Sequence, residues 1–211
     1  MATSKLPQEK FALILESFSS GNIQETIDSI KTLLAEFPED PVLFNILGAC
    51  FAELGLYSEA IENYEISLSF NSNYAKAYYN LAGALHEVKE FDSAIIAYKK
   101  ALDLEPDNTH ALNNLGNTCR EIGNNQSAIK YYKKAISIDN DYAEANYSLG
   151  SAYQDLGQLE EAVKCYEKVL TLRPNFYELH NNIAIILQNL GKADSAIEHL
   201  NEALLINPSF T

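Results

Sequence analysis

The chain has 211 residues, 47% of them apolar, with 15 Lys and Arg against 29 Asp and Glu and a formal net charge of −14. A phosphate-binding face needs clustered cations, and no basic stripe runs through this sequence, so nucleic acid is not an expected partner. No stretch approaches ~18 uninterrupted apolar residues, and residues 1–6 lack the apolar run of a signal peptide, so neither a membrane span nor a leader is expected.

From Pro7 onward the chain repeats itself with a period of 34 residues, in units 7–40, 41–74, 75–108, 109–142, 143–176 and 177–210 behind a short tail, 1–6. Gly21, Gly55, Gly123, Gly157 and Gly191 mark the fifteenth position of their units, and Lys89 stands where the remaining glycine is due. A fixed period of this length signals a repeat array, and each unit reads as two helices joined by a short turn.

The first pair, 7–20 and 24–37, is the atypical one, with Lys10 at position 4, Ser17 at 11 and Thr26 at 20. That suits an end cap, which shows one face to water. The second pair, 41–54 and 58–71, introduces the regular set of Leu47, Gly48, Ala60 and Tyr64. The third, 75–88 and 92–105, repeats it as Leu81, Ala82, Ala94 and Tyr98. In the fourth, 109–122 and 126–139, Leu112, Leu115 and Cys119 share one helical face, and Ala128, Ile129, Tyr132, Ala135 and Ile136 share another. The fifth, 143–156 and 160–173, carries Leu149, Gly150, Ala162 and Tyr166, and the sixth, 177–190 and 194–207, carries Ile183, Ala184, Ala196 and Leu200. Small residues at the eighth and twentieth positions allow two helices to approach closely. Pro38, Pro106, Pro174 and Pro208 end the second helix of their units.

These columns resemble the tetratricopeptide repeat (TPR) pattern, and Ala75–Asn108 shows it well through Tyr78, Leu81, Ala82, Leu85, Ala94, Tyr98, Ala101 and Pro106. The resemblance implies an all-α fold, a right-handed α-solenoid of six 34-residue helix-turn-helix repeats forming a single array over 7–210. It also implies that the first helix of each unit lines a concave groove that binds protein or peptide. The groove positions then hold Asn45, Lys76, Tyr79, Asn80, His86, His110, Asn113, Asn114, Asn117, Arg120, Tyr147, Ser148, Asn181 and Asn182.

An amide both donates and accepts, so repeated asparagines suit the backbone of an extended peptide whatever its sequence. Asn80, Asn114 and Asn182 form a partial ladder, broken at Ile46 and Ser148. It is similar to the asparagine ladder in the TPR superhelix of O-linked N-acetylglucosamine transferases. The carboxylate clamp that holds acidic chaperone tails in other TPR proteins is not expected. Asn45, Ala49, Asn80, His110 and Asn114 occupy its positions, without the two required cations. Glu53, Glu87, Glu121 and Asp155 draw an acidic line along the groove, with Arg120 positioned to pair with Glu87 or Glu121.

Catalysis is not expected. His86, His110, His180 and His199 fall at four different repeat positions, and the sequence contains no phosphate-cradling glycine loop and no nucleophile elbow. No metal and no cofactor is anticipated. Cys50, Cys119 and Cys165 sit on separate repeats and read as small buried hydrophobes of a cytoplasmic protein. The expected function is a non-catalytic interaction scaffold for an extended peptide. The alternative is the substrate-recruiting region of a larger transferase, since similar arrays precede bacterial sulfotransferases and glycosyltransferases. In the sixth unit Ile197, Leu204 and Ile206 have no following repeat to cover them. Either a longer protein continues past them or a homodimer forms through this face.

Overall fold

The computed structural model describes residues 6–209. Among these the chain forms twelve α-helices and no strand. They are α1 (Gln8–Ser19), α2 (Ile23–Glu36), α3 (Pro41–Glu53), α4 (Tyr57–Phe70), α5 (Ala75–Glu87), α6 (Phe91–Leu104), α7 (Thr109–Glu121), α8 (Asn125–Ile138), α9 (Ala143–Asp155), α10 (Leu159–Leu172), α11 (Tyr177–Asn189) and α12 (Ala193–Ile206). The fold is an all-α solenoid of helix-turn-helix repeats. Most of the expected tail, 1–5, lies outside the described residues.

Two compact units divide the chain after Pro106, with α1 to α6 in one and α7 to α12 in the other. Within each, consecutive helices pack as antiparallel pairs, and one pair packs on the next. In the first unit Ile14, Ile27, Ile30, Leu43, Ile46, Leu47 and Cys50 form one cluster across α1, α2 and α3. In the second, Val163, Tyr166, Leu179, Ile183, Ile186 and Leu187 join α10 to α11.

The pairing inside a repeat follows from the small-residue columns. Ala60, Ala94, Ala128 and Ala162 are fully buried at the helix crossings. Opposite them, a Cβ added to Gly116 would stand 2.5 Å from Tyr132, and one added to Gly150 would stand 2.6 Å from Tyr166. Glycine there clears the space into which the tyrosine ring packs, and both rings are almost wholly buried. Each large ring so placed contributes roughly 1.5–3 kcal/mol of burial.

The turns are equally regular. All five grid glycines take positive φ, from 70° to 78°, and Lys89 takes the same left-handed conformation at 64° without being glycine. The last position of a repeat also caps the next helix where its side chain permits. Asp40 accepts from the Val42 and Leu43 amides at the start of α3, and Asn108 accepts from Ala111 in α7.

The first repeat departs from the pattern as a cap would. Leu13 is 66% exposed, while Thr26 bonds the Ser17 hydroxyl and the Asn22 carbonyl, so its buried hydroxyl is satisfied. At the other end Leu200 is 40% exposed, unlike the tyrosines in its column, because no further helix packs over α12 among the described residues.

Candidate functional site

In the first unit the anticipated groove residues form a polar chain. Asn80 Nδ2 donates to Asn45 Oδ1 at 3.0 Å, and Asn45 Nδ2 in turn donates to the Tyr74 hydroxyl at 3.4 Å. Asn45 is buried, so its amide is spent inside the fold, and Asn80 is tied to it. Tyr79 packs edge-on against Tyr98, and His86 edge-on against Phe91, while Lys76 is exposed. Glu53 and Glu87 are exposed at the ends of α3 and α5.

The second unit holds a cleft of about 320 Å³. Its lining comprises Asn113 and Asn117 of α7, Ala143, Glu144, Tyr147 and Ser148 of α9, Val169 of α10, and Arg173 and Phe176 of the turn that follows. Helical spacing explains the α7 and α9 contributions, since residues four apart share a face. Tyr147 and Phe176 stack at 6.2 Å with 24° between their planes and make one aromatic wall. The Tyr132 hydroxyl donates to Asn117 Oδ1 at 2.8 Å, which orients the Asn117 amide.

Asn113 is the most informative member. It is 94% buried, being 6% exposed, and its Oδ1 has no hydrogen-bond partner. A buried acceptor left unmatched costs roughly 1–3 kcal/mol, and Asn113 places this one beside the cleft. Asn125 Oδ1 is likewise unmatched, but it lines no cavity described in the structure. A larger cavity of about 480 Å³ in the first repeat, beside Leu13 and Leu33, contains no such atom.

At the cleft's rim the Arg173 guanidinium donates to the Glu144 carboxylate. Burial works against the charged form of Glu144, but the hydrogen bond and charge of Arg173 more than offset it, so its pKa lies below the ordinary carboxylate range. The remaining anticipated residues lie elsewhere. His110 is exposed, its Nδ1 2.9 Å from the Tyr142 hydroxyl. Arg120 pairs at 3.6 Å with Asp155 and not with Glu87 or Glu121, because the twelfth position of α7 faces the thirteenth of α9. Glu121 is exposed, Asn114 and Asn181 are half-buried, and Asn182 is exposed, none of them lining the cleft.

Phe176 and Arg173 carry a sequence signal that the groove positions omit. The last position of the repeat reads Asp40, Tyr74, Asn108, Tyr142, Phe176 and Phe210, and three of its aromatics reach back to the first helix of their own repeat. Tyr74 meets Asn45, Tyr142 meets His110, and Phe176 meets Tyr147. Arg173 is the only cation in its column, beside Phe37, Asn71, Glu105, Asp139 and Asn207.

Cys50 and Cys119 are buried, and burial pushes the thiols of both Cys50 and Cys165 up to about 11. Among the described residues no helix is long and apolar enough to cross a membrane.

Comparison with known families agrees with the helix pairs. A model described as tetratricopeptide repeat matches residues 75–108 and 143–176, a second of the same description matches 97–130 and 165–198, and a TPR repeat model matches 116–157. Together they run without a gap from 75 to 198, more than half of the chain. The chain belongs to the tetratricopeptide repeat family. The peroxisomal targeting signal receptor of Saccharomyces cerevisiae is 32% identical over 76 residues, which make up 36% of this chain and 12% of that protein. This chain thus matches only a small part of its curated relatives' length. Among solved structures, MamA superposes with a TM-score of 0.75 at 25% identity, covering 81% of this chain and 93% of that one. PilF of Pseudomonas aeruginosa superposes with a TM-score of 0.81 over 96% of this chain and 92% of its own, and at 17% identity it shares the fold alone.

Proposed function

We propose that the protein is a non-catalytic interaction scaffold that binds an extended peptide segment of a partner, and that the α7–α9 cleft is where the segment is held. The observation that carries this is the buried, unmatched Oδ1 of Asn113 beside an aromatic wall. A peptide N–H supplies the missing donor, and a side chain of the same segment packs against Tyr147 and Phe176. Membership of a repeat family built for protein contacts supports the same role. So does the similarity to a protein named as a targeting signal receptor. Exposed acids at Glu53, Glu87, Glu121 and Asp155, with the net charge of −14, favour a segment carrying basic residues over nucleic acid or an acidic tail.

Panning a random peptide library on the protein and titrating the selected peptide by calorimetry tests the assignment. Phe176→Ala should weaken the interaction by about 1 kcal/mol or more, since it removes half of the aromatic wall. A selected peptide indifferent both to Phe176→Ala and to substitution of Asn113 would move the binding site off this cleft.

The exposed apolar face of α12 favours a second contact, with another copy of the chain. Ile197 is 55% exposed and Leu204 46% exposed, and Leu205 extends the patch at 73%. Ile206, expected on the same face, is half-buried.

A further inference from the structure

We propose that the segment held by the α7–α9 cleft carries a lysine or arginine four residues from the side chain that packs on Tyr147 and Phe176, and that Asp155 and Glu121 receive this cation. The inference rests on the peptide-binding reading of the cleft and adds to it the charge and spacing of the ligand.

The helices α7 and α9 run side by side in the same direction. Asn113 and Asn117 of α7 line the cleft with Tyr147 and Ser148 of α9, and further along both helices Arg120 pairs with Asp155. Both helices end there, α7 at Glu121 and α9 at Asp155. A helix C-terminus carries roughly half a negative charge, so two carboxylates and two helix ends converge at this end of the seam. Arg120 is the only basic residue in the last turn of either helix. Its Nε stands 3.6 Å from Asp155, and both side chains are partly open to solvent. One cation thus answers negative potential from four sources, and a second is favoured beside it. At the cleft itself Glu144 is already matched by Arg173, so it draws no ligand cation there.

Geometry sets the spacing. Asp155 lies seven residues beyond Ser148 and eight beyond Tyr147, roughly 10–12 Å along α9 at ~1.5 Å per residue. An extended segment covers that length in three or four residues at ~3.3 Å each. Its side chains alternate between faces, so only the fourth residue points to the same floor as the anchor. Between the two points Asn117 has its oxygen engaged by the Tyr132 hydroxyl, which leaves its NH₂ group to donate to the intervening backbone.

Peptides panned from a random library on the intact protein supply the probe. They should carry Lys or Arg four residues from their anchor, and peptides that bind the cleft without one overturn the proposal. Calorimetry at low salt, where an exposed pair is least screened, should show Asp155→Asn weakening such a peptide roughly two- to fivefold, the span of an exposed ion pair. The same peptide with methionine in place of the basic residue should bind the unmutated protein more weakly and be indifferent to Asp155→Asn. Asp155→Lys should reverse the preference, so that glutamate at that place binds better than lysine. If Asp155→Asn affects both peptides equally, or neither, the proposal is overturned, while sensitivity to Phe176→Ala keeps the cleft as the binding site. Indifference to Phe176→Ala and to substitution of Asn113 removes the cleft and the proposal together.

Discussion

Lys89 shows how far a single column constrains a residue. The period requires a left-handed residue at the fifteenth position, and Lys89 adopts φ 64° there despite its side chain. A Cβ in that region is unfavourable, so Lys89→Gly should raise stability by about 0.5–1 kcal/mol, measured by chemical denaturation. An unchanged midpoint would mean that the lysine is not strained. The asparagines show the limit of the same logic. Position and chemistry were legible for Asn80 and Asn113, but their partners were not. Whether an amide is spent on a neighbour, as Asn80 is on Asn45, depends on rotamers and on the neighbour's own bonds. Asn113 differs because its oxygen is left without such a partner.

At the scale of elements, the twelve helices were legible to within a residue because glycine, proline and the small-residue columns punctuate every repeat. The second helices begin and end one residue earlier than the spacing predicts, at Ile23–Glu36 instead of 24–37 and so on through Ala193–Ile206. The residue after each left-handed turn serves as cap, and the helix starts at once. What the spacing hid was the turn after α10, whose Arg173 and Phe176 belong to the fifth repeat yet close a cleft begun by α7. The crossing within a pair carries its own prediction. Ala128 is fully buried beside the Tyr132 turn, and Ala128→Leu should overpack the α7–α8 contact and cost roughly 1–3 kcal/mol. In a repeat protein each element answers mainly to its neighbours. Hydrogen exchange should therefore rise in α7, α8 and α9 while α1 to α4 keep their protection. A uniform loss across all twelve helices would contradict nearest-neighbour packing.

For the whole molecule, the ends are what distinguish this chain from a regular array. The first repeat satisfies its buried Thr26 hydroxyl with the Ser17 bond, while its Leu13 stays 66% exposed. The last leaves Ile197, Leu204 and Leu205 in water. Burying such side chains is worth roughly 1.5–3 kcal/mol each, and a two-fold contact lets one patch cover its copy. The 211-residue chain should therefore dimerise, and Leu204→Glu should return it to a monomer with its helix content intact. Light scattering that finds the unmutated chain monomeric at high concentration would leave α12 as an exposed patch.

The most direct test of the scaffold account exploits the unmatched oxygen of Asn113, because structure and function pull in opposite directions there. Asn113→Leu removes a buried acceptor that the free protein leaves unsatisfied, so its thermal midpoint should stay level or rise. The same change removes the atom that receives the peptide N–H, so calorimetric titration with a library-selected peptide should show affinity weakened by about 1 kcal/mol, roughly fivefold. Equal affinity for the unmutated protein and Asn113→Leu would contradict the account.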